Sequence, residues 1–197
     1  MSEHKAPYAR GDYLQKWRLE RQAKAIRKQL LLTQYEVLDP WRLADLVPAH
    51  VFYLEDVVGP ALVAQAQAAS WDGFGFQYPD ESTLLVVLNS ARSPARQTAT
   101  LMEELCHGLL GHRPTRLLKD PISGVLRREY NAALEHEAYD LGATLLLPKE
   151  LVQREVAQGT TMDRLAEWHH CSVQLVKYRI QRCRLWKRFQ QQQQIEH

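Results

Sequence analysis

An α+β fold with a small sheet packed against helices is predicted by three features of this sequence. Helical apolar spacing dominates both ends of the chain. Three short strand-like runs gather between residues 50 and 88. A Ser-Pro helix start at Ser93-Pro94 then opens two long helical stretches. The 197 residues are 45 % apolar and 24 % charged, the composition of one globular domain with a small appendage. The longest uninterrupted apolar run, Leu84 to Leu88, is strand-sized and far short of the roughly 18 residues a membrane helix needs. Residues 1–10 are polar and lack the apolar core of a secretory signal. The three cysteines, Cys106, Cys171 and Cys183, are odd in number and widely spaced, so thiols in a reducing cytoplasm are expected rather than disulfides.

The elements follow in order. Asp12 to Leu32 reads as an amphipathic helix with Leu14, Trp17, Ile26 and Leu30 as apolar anchors. Asp39-Pro40 breaks it, and Trp41 to Leu46 makes a short helical turn. His50 to Val58, Trp71 to Tyr78 and Thr83 to Leu88 are the strands, the last central, with an Ala/Gln-rich helix at Pro60 to Ala69. A helix from about Pro94 to Leu110 stops at Gly111. Arg113 to Leu126 is a connection, and helices follow from about Arg128 to Leu147 and from Pro148 to Gly159. Thr161 to His169 and Ser172 to about Phe189 form a helix–turn–helix-like pair, and Gln190 to Gln194 is expected to be disordered. Residues 1–160 are read as the main domain, 161–189 as a helical segment packed on it and 190–197 as the tail.

Chemistry concentrates on Glu103-Glu104-Leu105-Cys106-His107. Residues four apart share a helix face, so Glu103 and His107 can hold one metal ion, while Glu104 sits about 100° around, where a general base would hang. This is the arrangement of the H-E-x-x-H metallopeptidase helix with Glu in place of the first His. A third protein ligand is required, and the next long helix offers Glu135, His136 and Glu137, a carboxylate being the natural completion.

The run Thr100-Leu101-Met102-Glu103-Glu104-Leu105-Cys106-His107, then Glu135-His136-Glu137-Ala138, then Gly142-Ala143-Thr144-Leu145-Leu146-Leu147-Pro148, resembles the ImmA/IrrE family of zinc-peptidase-like proteins over about residues 20–185. That family carries T-L-x-H-E-x-x-H on one helix and a glutamate on the next, followed by L-L-M-P. The resemblance implies a zincin-like domain. It assigns His107 as a metal ligand and Glu104 as the catalytic glutamate. Glu135, thirteen residues before Pro148, becomes the acidic third ligand, and Glu103 stands where the family has its first histidine ligand. Two carboxylates and one imidazole would neutralise a divalent cation and weaken it as a Lewis acid. Zn is the first expectation, and hard oxygen donors shift preference towards Mn or Fe. The resemblance implies a metal-dependent endopeptidase-like protein acting on a regulatory protein, with Glu104 taking the proton of a metal-activated water and the strand Thr83 to Leu88 as the edge for an extended peptide. The alternative is a catalytically inactive relative serving as a regulatory protein-binding or DNA-binding module.

Other candidates have blander readings. His112, about 140° around from His107, suits a helix-dipole contact. His136 and Glu137 point away from Glu135 and suit surface or supporting roles. Tyr130 and Tyr139 could donate to an oxyanion but are more often structural. Cys106 diverges from His107, which disfavours a Cys–His nucleophile, and His169-His170-Cys171 reads as a turn. Glu104-x-x-His107 and Glu167-x-x-His170 have di-iron bundle spacing, but three strands argue against a bundle. Lys and Arg outnumber acids eight to three over residues 1–30 and six to one over 176–197. Solvated helix faces are the simple explanation. DNA contact by the last helix is the less favoured one.

Overall fold

The computed structural model describes residues 10–68, 71–77, 83–112, 117–119, 126–128 and 131–195. The first helix, α1 (Arg10–Gln29), buries Leu19, Ala23 and Ile26, and Leu30 just beyond it, whereas Leu14 and Trp17 are exposed. The expected anchors Leu14 and Trp17 are thus corrected. The buried set repeats at intervals of four, three and four residues, a full seam along one side, and Leu14 and Trp17 lie off it. After α2 (Pro40–Ala44), capped by the Asp39 side chain, comes β1 (Ala49–Tyr53). The strand expected to run to Val58 turns at Leu54 into the one-turn α3 (Leu54–Val57), whose start is closed by Asp56 accepting from the Tyr53 amide. The Ala/Gln-rich α4 (Pro60–Ala68) follows.

Strands β2 (Gly73–Gln77) and β3 (Leu84–Leu88) complete the sheet in the order β1-β3-β2. β3 runs parallel to β1 and antiparallel to β2, with Val86 opposite Val51 and Gly75. Its central place suits its all-apolar sequence, in which Val86, Val87 and Leu88 are buried and Leu84 and Leu85 half-buried. It also overturns one expectation: a central strand has no open edge for a peptide, and among the described residues β1 and β2 are the edge strands of this sheet.

Helix α5 (Pro94–Leu110) starts where expected, with Pro94 in its first turn. Gly111 ends it in the left-handed region at φ 66°, a conformation that suits glycine. The connection 113–126 contains β4 (Leu117–Lys119), which pairs with β5 (Leu126–Arg128). Pro121, Gly124 and Tyr130 lie outside the described residues. Helix α6 (Ala132–Leu146) begins four residues later than expected because Asn131 caps it, accepting from the Ala133 and Leu134 amides. α5 and α6 pack closely: a Cβ on Gly142 would stand 3.4 Å from Met102 Cβ and 3.6 Å from Cys106 Sγ.

Helices α7 (Lys149–Ala157), α8 (Met162–Trp168) and α9 (Val173–Arg182) form the C-terminal layer, the last two joined by a turn in which His170 takes φ 49°. The single last helix expected to reach Phe189 is broken at Arg184, φ 61°, and resumes as α10 (Trp186–Ile195). The glutamine tail expected to be disordered is therefore helical to Ile195. Phe189 is buried against the core, and Gln193 Nε2 donates to Gly159 O at 2.8 Å. One apolar cluster runs from α1 through the sheet and α5–α6 to α9 and Phe189. Among the described residues, no helix is long and apolar enough to cross a membrane.

Candidate metal centre

The site forms where the middle of α5 faces the first turn of α6. Glu103 and His107 share one side of α5. The Asn131 cap places Glu135 at the positive end of α6, where backbone N–H groups favour a carboxylate. One ligand atom from each of Glu103, His107 and Glu135 lies within 4.8 Å of the others. Donors about 2 Å from one ion sit at most about 4 Å apart, so this spacing matches one coordination sphere after slight side-chain adjustment. His107 Nε2 stands 3.2 Å from Glu135 Oε2, and their side chains are 12 % and 15 % exposed. The three residues expected to gather do so, and two carboxylates with one imidazole fit a divalent cation.

Glu104 lies on the adjoining side of α5 and is buried. Its carboxylate rests on the backbone of β2: a Cβ on Gly75 would fall 2.6 Å from Glu104 Oε2 and 3.2 Å from its Cδ. Glycine at this one position lets the carboxylate lie against the strand. The aromatic alternation around Gly73 and Gly75 hinted at a strand, and a missing side chain facing α5 cannot be read from that pattern.

His112 and Glu137 are joined to the site more closely than expected. After the left-handed Gly111, the His112 amide donates back to His107 O at 3.0 Å, folding the chain over the helix end. The His112 ring then meets the His107 ring, Nδ1 to Nδ1 at 2.9 Å, with its Nε2 3.3 Å from Glu137 Oε2. Glu137 Oε1 in turn pairs with Arg18 on α1. An angle of 140° measured along an ideal helix misses this return. His136 is exposed and lies edge-on to Tyr178 at 6.5 Å.

Electrostatics mark the remaining candidates. Burial, reinforced by Glu103, pushes the Cys106 thiol far up, which leaves it inert. Tyr139 is raised by burial and by Glu103. His112 is lowered, chiefly by burial and then by His107, and so stays neutral. Arg96 feels Glu103 but spends its hydrogen bond on Asp72. His169 and Cys171 are buried beside an exposed His170, a turn and not a cluster. On α9, Arg179 and Arg182 turn inward to Glu20 and Asp140.

A peptidase family model for the IrrE N-terminal-like domain matches residues 60–181. The chain belongs to this family. The match spans α4 to α9, so it takes in Glu103, Glu104, His107 and Glu135, while α1 and β1 precede it. No curated protein sequence matches the chain. Family membership agrees with an α+β zincin-like domain and with a divalent-metal site.

Proposed function

We propose that this chain is a cytoplasmic, metal-dependent endopeptidase-like protein acting on a regulatory protein. The observation that carries the reading is the convergence of Glu103, His107 and Glu135 within 4.8 Å, next to Glu104. Glu103, His107 and Glu135 would hold the cation, Zn first, with Mn or Fe favoured by the two carboxylates. When bound, it would supply Lewis-acid polarisation of a scissile carbonyl and an acidified water. Glu104 accepts the water's proton and returns it to the leaving amine. Gly75 lets the Glu104 carboxylate reach the sheet, and the open side of β2 offers backbone groups to an extended substrate. Family membership supports the class, and the free thiols Cys106, Cys171 and Cys183 are consistent with a reducing compartment.

A second reading, a non-catalytic regulatory module that binds a protein or DNA, draws on Glu103 standing in place of a histidine.

The test is metal content by mass spectrometry, with cleavage of fluorescent casein as readout. About one ion per chain is expected in the wild type, lost in His107→Ala and Glu135→Ala. Glu104→Gln keeps the metal and loses cleavage. Glu103→His raises Zn affinity. No bound ion after incubation with Zn(II), Mn(II) and Fe(II) would leave only the second reading.

A further inference from the structure

The chain Arg18–Glu137–His112–His107 has a direction set by chemistry. A carboxylate only accepts hydrogen bonds, and Glu137 gives one oxygen to Arg18 and the other to His112. His112 Nε2 must therefore carry the hydrogen and donate to Glu137 Oε2 at 3.3 Å. In the neutral ring, Nδ1 is then a bare acceptor. It faces His107 Nδ1 at 2.9 Å, so His107 Nδ1 must be the donor. With a cation held at Nε2, which stands 3.2 Å from Glu135 Oε2, His107 has its hydrogen on Nδ1 and the direction of the chain is the same from both ends. Each link in the chain thus delivers the same result, an imidazole ready to bind a cation through Nε2.

We propose that His112 and Glu137 are positioning residues that hold His107 in the Nδ1–H tautomer, with Arg18 of α1 fixing the far end of the chain. The inference rests on the metal-centre reading above. It extends that reading beyond the family-matched segment, since Arg18 lies on α1, before residue 60. Groups that orient a ligand histidine through its second nitrogen commonly change metal affinity 10–100-fold when removed. The backbone supports the arrangement: Gly111 reverses the chain so that the ring two residues past the helix end can lie edge-on to His107, with centroids 5.0 Å apart.

The experiment compares wild type, His112→Leu and His112→Asn. Zn(II) affinity is measured by competition with a chelating dye. The His107 tautomer is read from imidazole nitrogen-15 shifts at a pH where the rings are neutral, and folding is checked by thermal melts. His112→Leu should weaken Zn(II) binding by about 10–100-fold. His112→Asn, whose Oδ1 takes the place of the Nδ1 acceptor, should recover most of that loss. Unchanged affinity in the Leu variant, or an Asn variant as weak as Leu, would overturn the proposal, because packing alone would then explain the residue. If the wild type binds no Zn(II), the metal-centre reading falls separately. The tautomer of the wild-type protein then decides this inference: Nδ1–H at His107 upholds it and Nε2–H ends it.

Discussion

Arg179 and Arg27 are buried, and each guanidinium donates to complementary acceptors. Arg179 donates to Leu147 O at 2.9 Å and to Glu20 at 2.8 Å. Arg27 donates to Leu145 O at 2.6 Å and to Thr33 O at 2.7 and 3.0 Å. At the α5–α6 face, Glu103, His107 and Glu135 instead bring one ligand atom each within 4.8 Å of the others. The first region uses charge to tie off helix ends, so its polar groups are stabilising as they stand. The second gathers like-behaving groups that gain from a cation. The contrast teaches that a buried charged residue speaks for structure when its partners complement it and for function when they compete with it.

The contrast can be broken most forcefully at Arg179. Replacing it with Ala leaves Leu147 O and Glu20 without their donor and should cost about 3–5 kcal/mol in chemical denaturation. A loss under about 1 kcal/mol would remove Arg179 from the structural side.

Acid should act next. His169 is buried, its Nδ1 has no hydrogen-bond partner among the described residues, and burial with Arg27 nearby lowers its pKa to about 4. Folded His169 resists protonation while the unfolded ring accepts a proton near its ordinary value of about 6.5. Its contribution is therefore full above that value and is lost as pH falls towards 4. After allowance for solvent screening this is on the order of 2 kcal/mol. Melting curves between pH 7 and 4 should fall less steeply for His169→Leu than for wild type, and parallel curves would sink the idea.

At Gly75, a methyl group must push Glu104 aside. Gly75→Ala should cost about 1–2 kcal/mol and cut casein cleavage while metal content stays intact. Metal loss in that variant would show that Glu104 and the ligand set are not separable. The smallest effect belongs to Glu103→Gln in metal-free protein. Relief of carboxylate crowding should leave stability unchanged or raise it by under about 1 kcal/mol, and a clear loss would place Glu103 with the structural charges.

Much of this was legible from spacing. Pro94, Gly111 and the Leu84–Leu88 run place α5 and the central strand because caps and full burial leave local marks. Glu103 and His107 share a face by helical geometry alone, and Glu135 follows from the family pattern. Features made by tertiary contact were not legible. Phe189 and Gln193 hold α10 through contacts with distant residues, and so override a low-complexity composition. The His112 return depends on one left-handed residue. The seam on α1 is chosen by what it packs against, and Leu14 and Trp17 looked equally apolar.

Gly73 and Gly75 also shape how β2 behaves as an outer strand. A Cβ at Gly73 would fall 2.7 Å from Val87 O, so glycine is required there as well. Glycine is a poor strand former, and an edge built on it is a weak template for other chains to copy. The rim beside Glu104 can thus stay uncovered with less hazard of self-association than a valine-rich edge would carry.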